Sequence, residues 1–310
     1  MRNADLTFVD TPAEPARKLA NLRNGINHVA YGPDGLTMAT ADVHMNVHVT
    51  RGSELLYRRR FNVLEDKIRP TQRIRGMVFS RDGRLLYLAA ADRVIAVDVS
   101  TGDEVWSYRA PRSFGFLVIS PVSLATSSTG DVAAAFDNGS LAVWDEGGLM
   151  KSLWHHNDAP RMIGFSVDGQ TLIGTDSFSL TGWNWQTRKR TFKLPMPARV
   201  YGLALSSVAP VAATRTLHGI HLWNLETQQA IGALPVGFGL PLVAFSPTEQ
   251  VFAFAERNGV MLVHFNGQVI DQRVVQDAAV LSLAFSIDGK DIAVGCSDNQ
   301  VRHWVLNDAA

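Results

Sequence analysis

Apolar and polar residues alternate in short runs along most of the chain, and the runs come in sets. In residues 280–305, VLSLAFSIDGKDIAVGCSDNQVRHWV, an apolar-rich run leads into Ser-Ile-Asp-Gly. A second apolar run follows, then Ser-Asp-Asn, and a third run ends at Trp304. Alternation with a period of two, broken by turn-forming residues, predicts three antiparallel strands joined by tight turns. The same text returns at 74–99, 161–185 and 240–265. The chain is therefore an internal repeat, and that outranks any local reading.

The residue closing the first turn of each copy is Gly35, Gly83, Gly130, Gly169, Ala209, Glu249 and Gly289, at intervals of 48, 47, 39, 40, 40 and 40. Seven copies of about 40 residues match the blade of a β-propeller. The third run ends in Trp144-Asp145, Trp183-Asn184, Trp223-Asn224 and Trp304-Val305, with Val47, Val97 and His264 at that place in the other copies. A flat indole suits the space between two adjacent sheets. On these marks residues 16–308 resemble the WD-repeat family.

The resemblance implies an all-β, seven-bladed propeller of four-stranded antiparallel blades, each with strands a, b, c and d from the channel outward. The first six blades are expected at 26–61, 74–110, 121–156, 160–194, 200–235 and 240–275. The last copy stops after strand c, and Leu19 precedes Tyr31 by the same 12 positions that separate Leu153 from Phe165. Residues 16–22 are thus expected to complete the seventh blade, closing the ring in a single domain of 16–308, with 1–15 a flexible arm. The repeats are degenerate. One copy carries the full Trp-Asp pair, and of the family's Gly-His mark only His156 stands in register, where it could brace Asp176. Residues 94–110, with Thr101-Gly102 and Trp106, resemble instead the repeat of quinoprotein-type propellers and their scaffold relatives. We read that blade as convergence on a good hairpin turn.

Composition narrows the function. Lys+Arg and Asp+Glu both total 29, so no global field draws in nucleic acid, and interleaved aromatics for base stacking are missing. No secretory signal and no run of 18 apolar residues is present, so no membrane span is expected. The one cysteine, Cys296, lies in an apolar strand, where a buried inert thiol and a cytoplasmic protein are expected.

Catalytic chemistry finds little support. The nine histidines, including the pairs His44/His48, His155/His156 and His218/His221, are spaced to scatter over different faces of strands and turns, so no metal or other cofactor is expected. His303 reads as a core histidine from its alternating position. Ser80, Ser166, Ser206, Ser246 and Ser286 recur after strand a, which marks them as turn-formers rather than nucleophiles. The protein reads as a non-enzyme.

A partner site is the better expectation. Insertions at 62–73 and about 111–120 lengthen two d–a connections, on the face that the family uses for partners. Between Arg51 and Arg84 there are ten Lys/Arg against four acids. The runs Arg58-Arg59-Arg60 and Arg188-Lys189-Arg190 read as guards of exposed outer strands. The sequence reading is a scaffold whose d–a/b–c face binds a protein or peptide across Lys67, Arg69, Arg73, Phe114, Trp154 and Phe238. Its rivals are a propeller enzyme with a metal at the channel mouth and a quinoprotein-like scaffold.

Overall fold

The computed structural model describes residues 6–9, 17–18, 25–61, 73–110, 118–156, 159–236, 242–256 and 259–308. They form seven antiparallel sheets, six in the order of the chain and the seventh completed by N-terminal strands. The first strand of each (strand a) is Ile26–Tyr31, Ile74–Phe79, Pro121–Thr126, Met162–Phe165, Val200–Leu205, Val243–Phe245 and Val280–Phe285. Each strand a packs against the next, and the seventh returns to the first, so the sheets stand as blades around a central channel. No helix among the described residues is long and apolar enough to cross a membrane.

The ring is closed from the N-terminal side, as expected, but in two pieces. Strand c of blade seven runs long, Gln300–Asp308. Leu6–Val9 pairs antiparallel with its far end and Arg17–Lys18 with its near end, Val301 and Gln300. The closing pairs thus begin ten residues earlier than position 16. Both pieces occupy the edge that would otherwise offer unpaired backbone groups to another chain.

The interior is a ring of apolar clusters, one at each junction between blades. Val47, Val49, Leu86 and Val97 fill the first junction, and Leu262, Val280, Ile292 and Cys296 the sixth. This follows from the sequence: strands b and c are buried on both faces, so they read as nearly continuous Val/Ala/Leu runs. The second junction is aromatic, with Tyr87, Trp106 and Tyr108 of blade two against Phe136 and Trp144 of blade three. Trp144 is 1% exposed and Trp183 2%. Cutting such a ring to alanine costs about 3–5 kcal/mol. The closing junction is the thinnest, with Ile26, Val29, Met38, Ala293 and Val301 at its centre.

The repeated serines are turn residues. Ser80, Ser166 and Ser286 each donate a hydroxyl to the aspartate two positions on, at 2.5–2.7 Å, and accept the backbone N–H five positions on, at 2.9 Å. The basic outer strands Glu54–Arg60 and Lys189–Pro195 expose Arg58–Arg60 and Lys189–Arg190, as edge guards should.

One histidine departs from expectation. His303 is exposed, and its Nδ1 meets the Tyr31 hydroxyl at 3.0 Å across the closing junction. A ring nitrogen needs a polar partner, and the phenol supplies it outside the apolar cluster. Asp176 accepts its hydrogen bonds from its own turn, the Phe178 and Ser179 N–H groups and the Ser179 hydroxyl, each at 2.6 Å. His156 sets its ring edge-on to Trp183, 4.9 Å between centroids.

Candidate functional site

One position near the start of strand a is re-aimed by the same local device in five of the repeats. The register of strand a slips against strand b between Ile26 and His28, Ile74 and Gly76, Pro121 and Ser123, Val200 and Gly202, and Val280 and Ser282. The residue left unpaired is a β-bulge: Asn27, Arg75, Val122, Tyr201 or Leu281. A bulge breaks the alternation of faces and turns one side chain out of the sheet, commonly at the rim of a barrel or beside a site. In blade four the matching residue is Arg161, just before the strand, whose N–H donates to the Thr175 carbonyl at 2.8 Å. The matching residue of blade six, Pro241, lies outside the described residues.

These residues meet at the channel mouth on the d–a/b–c face. Asn27, Arg75, Val122, Arg161 and Leu281 line a cavity of about 590 Å³, together with His28, Arg73 and Asp137. Strands of five blades contribute, so no single blade owns the site. Three guanidinium groups face one carboxylate there. Arg73 and Arg161 are exposed and form no ion pair among the described residues. Asp137 accepts the Ser120 N–H at 3.0 Å. His28 shares a hydrogen bond between Nε2 and the Ile74 carbonyl of the next blade at 2.9 Å. Burial pushes its pKa below the ordinary histidine value and outweighs the opposing effect of that bond, so it stands there as a neutral donor. Tyr201 holds the same position in blade five, outside the cavity lining, and carries the Arg199 guanidinium 5.5 Å from its ring centroid.

Of the residues singled out in the sequence, Arg73 lines this cavity. Trp154 lies on strand d of blade three opposite Leu141, half-buried against the cluster that holds Trp183 and Trp185. Its indole N–H has no hydrogen-bond partner among the described residues. Lys67, Arg69, Phe114 and Phe238 fall outside the described residues. Sequence reasoning missed Asn27, Arg75, Arg161 and Tyr201. The signal was there: each stands four positions before the last residue of its strand a, at Tyr31, Phe79, Phe165 and Leu205. Among the described residues no cluster of three or more His, Cys, Asp or Glu could hold a metal ion.

Comparison with known proteins supports the repeat reading from both halves of the chain. Residues 243–309 match the family described as the anaphase-promoting complex subunit 4 WD40 domain. Residues 63–157, which contain the Thr-Gly/Trp blade, match that of the outer membrane protein assembly factor BamB. Periodic tryptophan protein 2 of Arabidopsis thaliana is 25% identical over 187 residues, 56% of this chain and 20% of its own length. WD repeat-containing protein 90 of Mus musculus is 24% identical over 205 residues, 61% of this chain and 10% of its own. The chain thus spans a small part of each of these relatives. With seven degenerate copies of one motif and a closed ring of seven four-stranded blades, the chain has the propeller fold of WD-repeat proteins and is similar to them in sequence.

Proposed function

We propose that the protein is a non-catalytic interaction platform that binds a peptide segment of a partner protein at the channel mouth of its d–a/b–c face. The observation that carries this reading is the bulge column. Five blades each place the residue at this position in the lining of a cavity of about 590 Å³. A concave site with a few convergent polar groups on a rigid ring is suited to holding an extended ligand. The repeated serines commit their hydroxyls to turn aspartates, which favours binding over hydroxyl chemistry. The BamB match favours a second lineage for the same role, a quinoprotein-like scaffold, over residues 63–157 alone.

The test is an affinity capture with three baits: wild type, Asn27→Ala/Tyr201→Ala at the mouth, and Leu36→Asp/Ile287→Asp in a–b turns of the opposite face. Leu36 and Ile287 are 64% and 50% exposed, so both double variants should fold. A stoichiometric partner held by wild type and the opposite-face variant but lost by the mouth variant is the expected result. Loss on the opposite face with retention at the mouth would place the interface elsewhere.

A further inference from the structure

We infer that the channel mouth is an anion site: Arg75 and Arg161, with Arg73 beside them, receive a carboxylate- or phosphate-bearing side chain of the docked peptide. This inference rests on the platform reading above. Arg75 and Arg161 hold the same structural position in blades two and four, and blade three puts Val122 between them. A short apolar residue between two guanidinium groups leaves a gap that a charged side chain can enter, with its methylene groups against Val122.

The position itself does not ask for a positive charge. Elsewhere in the ring it holds Asn27, Tyr201 and Leu281, so basic residues in two blades are a property of the site rather than of the fold. The clusters between blades one and two, two and three, and three and four are built from apolar side chains. Arg73 and Arg161 form no ion pair among the described residues, and an entering anion accepts charge-assisted hydrogen bonds from guanidinium groups. Asp137 is the one acid among the lining residues. It stands in the b–c turn of blade three, on the wall, and disfavours an anion arriving from that side. Neutral His28 and Asn27 add uncharged hydrogen-bonding groups at the opposite wall.

The experiment measures fluorescence anisotropy of three labelled peptides of one length: a glutamate-rich one, the same peptide with phosphoserine replacing the glutamates, and a glutamine-rich control. At least one anionic peptide should bind about tenfold or more tightly than the control, with affinity falling as salt rises. Whichever anionic peptide binds more tightly identifies the source of the anion. Arg75→Gln/Arg161→Gln should lose about tenfold in that affinity, and Arg75→Lys/Arg161→Lys should keep most of it. An anionic peptide bound no better than the control, or bound equally by the glutamine variant, overturns the inference. Partner capture separates this failure from that of the platform. A cellular partner kept by Arg75→Gln/Arg161→Gln but lost by Asn27→Ala/Tyr201→Ala sinks the anion site and leaves the platform standing. A partner kept by both variants sinks both.

Discussion

The Ser282 hydroxyl of blade seven donates to the Ile26 carbonyl of blade one at 3.2 Å, joining positions 256 apart in the chain. The bond lies at the junction with the thinnest apolar cluster, where two more polar links cross. The Gly25 N–H donates to Asn299 Oδ1 at 2.6 Å, and Tyr31 meets His303. Ser282→Ala removes one partner and leaves a buried carbonyl unmatched. The expected loss is about 1–2 kcal/mol in urea unfolding, with an unchanged m-value. No loss would mean that the seam does not depend on its polar links.

Deleting residues 1–18 should do more. It strips both short strands from the outer edge of Gln300–Asp308. The truncated protein should melt at lower temperature and associate at concentrations where the full chain does not, since an open edge templates pairing. Unchanged melting and sedimentation would show that the N-terminal pairs are dispensable for closure.

Trp106 seals the second junction over a glycine. Its indole N–H donates to the Glu146 carbonyl at 3.0 Å, and the ring covers Gly148, where a Cβ would lie 2.7 Å from the indole. Gly148 also has a φ of 85°, which side chains rarely adopt. Gly148→Ala should destabilise by about 2 kcal/mol or more and quench or shift the tryptophan fluorescence that reports on Trp106 and Trp144. Wild-type stability in that variant would contradict the packing described.

Acid should loosen the a–b turns first. Hydrogen bonds from Ser166 and Ser286 hold the Asp168 and Asp288 carboxyls below the ordinary aspartate range. A carboxyl whose pKa is lower in the folded state adds stability above its unfolded pKa, about 3.9, and that stability fades as pH falls through the folded value. Ser166→Ala/Ser286→Ala should therefore be less stable than wild type at pH 7. The gap should narrow below about pH 4 as both proteins lose the ionised form. A gap of constant size down to the acid transition would mean that the serines act by packing alone.

The blades were legible because each repeat writes its turns in residues with few alternatives. Gly35, Gly83, Gly130, Gly169 and Gly289 all have positive φ in the folded chain. The mouth was harder to read. Strict alternation puts Arg75 on the same face as Met77 and Phe79, two residues that are 7% and 6% exposed. The bulge between Ile74 and Gly76 cancels that inference, and nothing in the local residue types announces it. His303 failed for a related reason: alternation assigned it inward, and a hydrogen-bond partner on the neighbouring blade drew it out.

The bulge column separates two kinds of sequence information that most folds mix. Substitutions at Asn27, Arg75, Val122, Arg161 and Leu281 change what lines the cavity, while the buried strands beside them keep the ring intact. Ligand preference on this scaffold can therefore drift one blade at a time. Each step is small, and the spacing of the groups is set by the ring rather than by the groups themselves.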